Sequence, residues 1–413
     1  MTPSAYLDGR RSHLLSFLRE IVEIPTINPP GDHYGAVTEL LAARLAGLGL
    51  ATHRYQVPKN LVKKTLPEGD PFLPRYNVLG KWKVTGARKT LHFNAHYDVV
   101  PVSGQWKHSG PFSGAVHGGW IYGRGTADMK GSMASLVYAL EALRACGIKP
   151  NLNVEVSFVA DEETDSALGT GWLVKHAPIN PDYAIVMEGG EGHEVCCGHN
   201  GVCWLKVTVH GRAAHGSVPH EGINALEKMA ALLLGLEPYK RRLAKRIFVS
   251  PSGKRMAPTV NLGGIFESGP GGKINTVPAL ASFSVDRRVI AIESQIAAER
   301  ELRQALQAAA ARIPDCRISI EKVSENYSCY HPPSHPFFAA MARTVTDVRG
   351  EKSSFKVSSG FNDMYFFASE LKIPTLGYGP GGDNCHAVNE RASVKELLAC
   401  AKIYAKLLTS FEG

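Results

Sequence analysis

The sequence contains no apolar run long enough to span a membrane. The longest run, around Met229–Leu236, falls far short of the ~20 residues that a bilayer-spanning helix needs. The first 15 residues also lack the uninterrupted apolar core of a secretory signal. We therefore expect a cytoplasmic protein that has no membrane partner.

The chain also lacks the features of small or fibrous scaffolds. Its eight cysteines form no CxxC pair, which excludes a zinc ribbon and a thioredoxin motif, and its 41 glycines follow no three-residue period. Hydrophobic residues make up 44% of the 413 residues, which excludes a disordered chain. This length and composition predict a globular protein of two or more domains.

The signature motifs of several enzyme classes are missing as well. The sequence has no GxSxG nucleophile elbow, no GxxxxGK[ST] phosphate loop, no HExxH helix and no GxGxxG dinucleotide turn. Serine hydrolases and nucleotide-dependent enzymes therefore have no positive support.

Acidic residues are too few to balance the basic ones, and the imbalance is local. The formal charge is +8, and residues 202–322 carry 18 Lys and Arg against 10 Asp and Glu. The densest basic run, 240–246, has no interleaved aromatic residues of the kind that bind single-stranded nucleic acid. We interpret the excess as favouring an anionic small-molecule substrate, and we expect no nucleic-acid partner.

Apolar periodicity in the first 200 residues alternates between strands and helices. This alternation predicts an α/β fold with a mixed, largely parallel sheet flanked by helices. Residues 58–74 interrupt the pattern as a long polar loop that contains proline. The predicted strands are 76–82, 90–95, 151–160 and 183–187, and the predicted helices are 34–49, 131–146 and 171–176.

The middle of the chain has a different order of elements, β-α-β-β-α-β, which is typical of a ferredoxin-like α+β domain. We predict that this domain, residues 202–322, is inserted into a discontinuous domain formed by residues 1–201 and 323–413. The inserted strands are 202–210, 259–266, 281–285 and 317–323, and the inserted helices are 224–236 and 294–311. The last part is predicted to hold helices at 335–348, 362–369 and 394–408 and a strand at 373–378.

Ionisable side chains collect after the predicted strands of the discontinuous domain. Open α/β sheets bind ligands beyond the carboxyl ends of their strands, so these side chains are expected to lie together. Asp128 joins them from the glycine-rich turn GRGTADMKG, just before a helix. The other members of the group are His96, Asp98, Asp161, Glu162, Glu163, Glu188 and His386.

So many carboxylates at one sheet edge repel one another unless cations neutralise them. Two divalent metal ions would do so, because zinc accepts histidine nitrogen and carboxylate oxygen and keeps a position open for water. Such a pair would activate water and polarise a substrate carbonyl. We predict zinc, with cobalt and manganese as alternatives that suit the same donors.

Six motifs between His96 and Glu390 make this interpretation specific. They resemble, in the same order, the motifs of the co-catalytic zinc family of acetylornithine deacetylase, succinyl-diaminopimelate desuccinylase, aminoacylase and glutamate carboxypeptidase. The resemblance implies a zinc-exopeptidase-like catalytic domain with an inserted lid that also forms a dimer. The motifs are HYDVVP from His96, GRGTADMKG from Gly123, DEET from Asp161, MEGG from Met187, GRAAHGSVPHEGINA from Gly211 and CHAVNE from Cys385.

The resemblance also implies a role for each matching residue. Asp128 would bridge the two metal ions, and Asp98 would fix the tautomer of the His96 ring, as carboxylates behind metal-bound histidines do. Glu162 matches the general base, which works best with a pKa raised towards the working pH. The remaining ligands implied are His96 and Glu188 on one ion and Glu163 and His386 on the other.

The lid contributes further candidates by the same resemblance. His215 matches a histidine that reaches the active site of the neighbouring subunit and helps to stabilise the oxyanion, which implies a homodimer. Arg288 matches a position that binds the substrate carboxylate, for which the planar fork of arginine is suited. The adjacent arginine is an alternative anchor, and an ordinary glycine-rich turn is the alternative for the glycines. The candidate substrate-binding residues are Arg288, Asn275, Arg287, Gly360 and Gly381.

The motifs predict a metal-dependent hydrolase that cleaves the amide bond of an N-acyl amino acid or a related small carboxylated amide. The alternative is a dipeptidase, carboxypeptidase, carbamoylase or other C–N bond hydrolase, including one for aryl amines, with the same metal centre. A non-catalytic binding protein is the third hypothesis, and the intact ligand set together with Glu162 argues against it.

Overall fold

The observed helices and strands keep the predicted alternation. The computed structural model describes residues 1–65, 72–269 and 272–413. The helices are α1 (Pro3–Gly9), α2 (Arg11–Val22), α3 (Tyr34–Gly47), α4 (Lys59–Thr65), α5 (Lys130–Ala145), α6 (Thr170–His176), α7 (Ala225–Gly235), α8 (Glu237–Leu243), α9 (Gln295–Ala310), α10 (Pro336–Arg349) and α11 (Val394–Ser410).

The strands divide between a large sheet, a four-stranded sheet and smaller pairings. They are β1 (Ala51–Gln56), β2 (Tyr76–Trp82), β3 (Thr90–His96), β4 (Ala115–His117), β5 (Trp120–Tyr122), β6 (Asn153–Val159), β7 (Tyr183–Val186), β8 (Glu194–His199), β9 (Gly201–His210), β10 (Phe248–Val249), β11 (Arg255–Met256), β12 (Thr259–Ser268), β13 (Leu280–Val289), β14 (Arg317–Asn326), β15 (Cys329–Tyr330), β16 (Ser354–Ser358), β17 (Thr375–Gly377) and β18 (Arg391–Ser393).

The chain packs as two units. The first unit comprises residues 1–198, 331–356 and 362–413, and the second comprises residues 199–330 and 357–361. The predicted boundary at residue 322 falls inside β14, because this strand continues past an irregularity near Lys322 as far as Asn326. The second unit therefore extends beyond the predicted insert.

The first unit is built on a sheet whose strand order includes β1-β2-β6-β3-β7-β17-β8. The four central strands, β6, β3, β7 and β17, are parallel, and antiparallel strands flank them on both sides. Strand β3 is buried at six of its seven positions, as expected for a parallel strand with both faces covered. The prediction of a mixed, largely parallel sheet is confirmed.

The second unit contains an antiparallel sheet with the order β12-β13-β9-β14. Along β9, buried and partly exposed residues alternate, which places Leu205, Val207 and Val209 on one face and Trp204 and Lys206 on the other. The buried face joins residues of α7 and α9 in one apolar core. The predicted ferredoxin-like order is confirmed, with α8 and the β10–β11 hairpin added to it.

The helix predicted at 362–369 is present but shifted along the chain. Residues 364–370 are helical, and the last five of them, Phe366–Glu370, form a π-helix. Just before this helix, the side chain of Asp363 accepts hydrogen bonds from Ser166 and Thr170.

The predicted loop 58–74 contains a helix, α4, in its first half. Val62 of this helix packs in a small apolar cluster with Leu168 and Trp172. These tertiary contacts stabilise a helix that the local sequence pattern does not predict. Residues 66–71 of the predicted loop lie outside the described residues. Among the residues that are described, none of the helices combines the length and the apolar composition needed to cross a bilayer.

Candidate metal centre

The predicted ligands lie at the carboxyl ends of the central strands of the first unit. His96 is the last residue of β3, Glu163 lies in a 3₁₀ turn directly after β6, and Glu188 follows β7 by two residues. Asp128 precedes α5, and His386 lies in the loop between β17 and β18. The parallel strands end together, so residues far apart in sequence share one sheet edge.

The carboxylate of Asp128 has one oxygen towards each histidine. Its Oδ1 lies 3.0 Å from His96 Nε2, and its Oδ2 lies 3.2 Å from His386 Nε2. His386 Nε2 is also 3.1 Å from Glu163 Oε2. Ligand atoms of His96, Asp128 and Glu163 all fall within 4.8 Å of one another. This is the arrangement that a carboxylate shared by two cations requires.

The two remaining acidic residues, Glu188 and Glu162, complete the group. Glu188 Oε1 is buried and has no hydrogen-bond partner among the described residues, although a buried carboxylate oxygen without a partner is costly. Glu162 Oε2 lies 4.0 Å from His96 Nε2. The donors are imidazole nitrogen and carboxylate oxygen, so the residues fit a pair of divalent ions such as zinc.

Burial and the neighbouring charges shift the pKa values of several residues in this group. Burial and the neighbouring Glu188 raise the pKa of Glu162 well above its ordinary value. Burial and the Asp128 carboxylate do the same to the pKa of Glu188. Hydrogen bonds with Asp128 and Glu163 raise the pKa of His386 to about 10. Cations at this position would relieve the repulsion between the carboxylates.

Asp98 differs in part from its predicted role. His96 Nδ1 lies 3.0 Å from the backbone oxygen of Asp98 and 3.5 Å from its carboxylate Oδ1. The two carboxylate oxygens accept the backbone N–H groups of Glu162 and Glu163, each at 3.2 Å. The backbone carbonyl is therefore the closer acceptor for the His96 ring, and the carboxylate holds the turn that carries both glutamates.

An ion pair that was not predicted from the sequence holds the Asp128 turn. Glu390 Oε1 accepts the backbone N–H groups of Ala127 at 3.0 Å and Asp128 at 3.1 Å, and Arg124 Nη1 donates to Glu390 Oε2 at 2.5 Å. Both charged side chains are buried. Both residues lie in motifs that the sequence shows, Arg124 in GRGTADMKG and Glu390 at the end of CHAVNE. Neither residue is a predicted metal ligand, so the motifs alone do not indicate the ion pair.

In the second unit, the structure brings two of the predicted lid residues together. The backbone N–H of Gly216 donates to the Asn275 oxygen at 2.7 Å, and His215 forms an isolated bridge with Thr276. The ring of His215 lies near the surface with Nδ1 2.7 Å from Ser217 Oγ. His215 and Asn275 thus occupy one small surface region.

The structure separates the two candidate arginines, and it contradicts the prediction for Arg287. Neighbouring residues of a strand face opposite ways. Arg287 is fully buried and its Nη2 binds both oxygens of Glu293, at 2.9 and 3.0 Å, so it cannot serve as a substrate anchor. Arg288 has a side chain 38% exposed and donates to Asp286 Oδ2 from Nε at 3.1 Å.

The candidate glycines are placed by different constraints. Gly381 has a φ of +63°, and a Cβ there would lie 1.7 Å from Glu191 Oε2. The positive φ and packing within the first unit account for glycine at this position. Gly360 is exposed, and its N–H donates to Ser358 Oγ at 3.2 Å.

Known proteins resemble this chain over almost its whole length. A family model, peptidase family M20/M25/M40, matches residues 92–410. The chain is 26% identical over 408 residues to a succinyl-diaminopimelate desuccinylase of Gluconacetobacter diazotrophicus, covering 97% of each chain.

Two solved structures share the fold. One is an M20 family metallo-carboxypeptidase of Sulfolobus solfataricus, with a TM-score of 0.73 at 21% identity over 96% of this chain and 98% of that one. The other is a dinuclear metal-binding M20 peptidase of Bacillus subtilis, with a TM-score of 0.69 at 15% identity over 96% of this chain and 97% of that one.

Proposed function

Because the chain belongs to peptidase family M20/M25/M40 and is a metal-dependent amidohydrolase, we propose that it cleaves the amide bond of an N-acyl amino acid or a related small carboxylated amide. The observation that carries the proposal is Asp128, whose carboxylate has one oxygen on each of two histidines. The likeness of the whole chain to desuccinylases, whose name states that they remove an acyl group, favours a deacylase.

Two divalent ions fit the donor set, and we propose zinc for both. Asp128 would be shared between them, with His96 and Glu188 on one side and Glu163 and His386 on the other. When bound, the ions would polarise the substrate carbonyl and lower the pKa of a water molecule. Cobalt and manganese suit the same donors, so metal content should be measured by elemental analysis of enzyme purified without added metal, followed by reconstitution with each ion.

Glu162 would act as the general base. Its Oε2 is close to the ligand group, at 4.0 Å from His96 Nε2, but a ligand position is proposed for its neighbour Glu163 instead. A carboxylate whose pKa is raised by burial holds a proton well enough to take it from water and to pass it on to the leaving nitrogen. Glu162 would therefore serve first as base and then as acid.

Residues of the second unit would bind the anionic end of the substrate. We propose Arg288 as the carboxylate anchor, and Asn275 and Gly360 of the second unit and Gly381 of the first unit as further substrate contacts. His215 would act on the active site of a second subunit, which makes the enzyme a homodimer. A mixture of two inactive variants, His215→Asn and Glu162→Gln, tests this idea because hybrid dimers would regain one complete site. No regain of activity after subunit exchange would exclude the shared site.

A substrate panel tests the proposal as a whole. Metal-replete enzyme is offered N-acetyl and N-succinyl amino acids, dipeptides, N-carbamoyl amino acids and aryl amides, and amine release is measured at fixed metal. We expect the N-acyl amino acids to give the highest kcat/KM. Turnover of dipeptides, carbamoyl compounds or aryl amides with inert N-acyl amino acids would replace the deacylase by one of the alternative activities of the same centre.

A further inference from the structure

The turn that carries Glu162 and Glu163 has an unusual backbone. Asp161, Asp165 and Ser166 all have positive φ angles, of 59°, 88° and 60°. Residues other than glycine are uncommon in this region, and such a conformation persists when the surroundings hold it in place. The turn therefore needs fixed contacts at its ends.

A buried cluster of side chains supplies these contacts at the first end. Asp161 Oδ2 accepts a hydrogen bond from Arg75 Nε at 2.7 Å, and Oδ1 accepts one from the Tyr34 hydroxyl at 2.9 Å. Asn28 Nδ2 lies 3.2 Å from the same Oδ1. Arg75 is 2% exposed and Asp161 is 4% exposed, so water does not compete for either charge.

The guanidinium of Arg75 is itself fixed on two other segments. Its Nη2 donates to the Pro30 oxygen at 2.8 Å, and its Nη1 donates to the Leu73 oxygen at 3.0 Å. Its Cζ atom also lies over the Tyr34 ring, 5.1 Å from the ring centre. All three nitrogens of the guanidinium are thus engaged, and Arg75 is a rigid anchor for Asp161.

The same cluster reaches the two glutamates by a second route. Asn28 Nδ2 lies 3.0 Å from Asp98 Oδ2, and the Asp98 carboxylate accepts the backbone N–H groups of Glu162 and Glu163. The cluster therefore contacts the turn at the residue before the glutamates and at the glutamates' own backbone.

We infer that Arg75, acting through Asp161, is a positioning residue for the general base Glu162. This inference rests on the proposed role of Glu162. A buried ion pair contributes little net stability compared with apolar residues of the same size, so a stabilising role alone gives a weak reason for two buried charges. Displacement of a catalytic group by about 1 Å costs on the order of 100-fold in rate, which gives positioning a large effect.

The test is a cycle of Arg75→Met and Glu162→Gln, each alone and combined. Arg75→Met should lower kcat by about 100-fold at saturating metal while KM stays unchanged. In the Glu162→Gln background the same substitution should have almost no further effect, because the group it positions is gone. A full additional loss in that background would overturn the inference. A nearly unchanged kcat for Glu162→Gln alone would instead overturn the proposed role of Glu162.

A matched control is available in the same unit. Arg349 binds both oxygens of Glu396, at 2.7 and 3.2 Å, between α10 and α11. Arg349→Met should lower the melting temperature but leave kcat unchanged. If Arg349→Met and Arg75→Met lowered kcat equally, Arg75 would have only a structural role.

A milder variant keeps the inference testable if Arg75→Met does not fold. Tyr34→Phe removes one hydrogen bond to Asp161 and keeps the ring. We expect a several-fold decrease in kcat that disappears in the Glu162→Gln background, and an unchanged kcat would contradict the inference. The kcat of Arg75→Lys should lie between those of wild type and Arg75→Met, because one ammonium group cannot donate hydrogen bonds to three separated acceptors.

Discussion

Each of the two units contains a buried arginine that is paired with a glutamate, but the two glutamates accept hydrogen bonds from the backbone of different segments. In the first unit, Glu390 binds Arg124 with one oxygen and two backbone N–H groups of the Asp128 turn with the other. In the second unit, both oxygens of Glu293 bind Arg287, and one of them also accepts the backbone N–H of Ile290. The first pair supports a candidate metal ligand, and the second supports the end of a strand.

The comparison shows that burial and charge alone do not identify a functional residue. Both arginines are nearly inaccessible, and both pairs have short, charge-assisted hydrogen bonds. The difference lies in which backbone the carboxylate holds, because a shifted turn moves a ligand only in the first unit. Substitutions of the Arg124–Glu390 pair should therefore change activity or metal affinity, whereas those of the Arg287–Glu293 pair should change stability.

The largest effect is expected at the reacting group of the first unit. Glu162→Gln keeps the shape of the side chain but cannot accept a proton, so kcat should fall by about 10²–10⁴-fold. Metal content should stay the same, because Glu162 is not proposed as a ligand. Steady-state kinetics on the best panel substrate and elemental analysis measure both quantities. A variant with full metal content and wild-type kcat would remove Glu162 from the mechanism.

The position of the candidate metal ligands at the ends of the strands could be predicted from the sequence. Buried parallel strands appear as apolar runs, and the polar residues that end such runs must meet at one edge of the sheet. His96, Glu163 and Glu188 follow three such runs, and the structure places them at that edge. What the sequence patterns could not supply is the pairing between distant segments. Arg75 and Asp161 are 86 residues apart, and no local pattern links them.

One error could have been avoided. In β13 the residues Phe283, Val285 and Arg287 alternate with polar ones, and the first two are buried. A period of two places Arg287 on the apolar face and Arg288 on the other. The charge of Arg287 obscured this pattern, although a buried arginine is acceptable when a carboxylate such as Glu293 faces it.

The next largest effect is expected for the ion pair behind Asp128. Glu390→Gln removes the charge opposite Arg124 and weakens the acceptor for the Asp128 backbone. Residues that orient a metal ligand typically contribute 10–100-fold in metal affinity or activity, and we expect a loss of metal affinity in this range. Competition with a chelator measures the affinity, and kcat should largely recover at saturating metal. Unchanged affinity would show that the Asp128 turn holds its conformation without Glu390.

A smaller and more selective effect is expected at the exposed arginine of the second unit. Arg288→Glu should raise KM for carboxylated substrates by about tenfold or more, because the proposed contact with the carboxylate would be replaced by repulsion. The matched substrate with a neutral amide in place of the carboxylate should show little change. Equal changes in KM for both substrates would mean that Arg288 does not contact the carboxylate.

The smallest effect on activity is expected one residue earlier, at Arg287. Arg287→Met leaves the partly exposed Glu293 with Arg246 as its remaining charged partner, so the free energy of unfolding should fall by about 1–3 kcal/mol. Adding Glu293→Met should restore part of this loss, because an apolar pair can replace a buried ion pair. Throughout, kcat of the folded enzyme should match wild type, as measured at a temperature well below the lowered melting point. If kcat fell as it does in Glu390→Gln, the buried pair of the second unit would also position reacting groups. The two ion pairs would then differ only in sequence separation, which is 266 residues for Arg124 and Glu390 and 6 residues for Arg287 and Glu293.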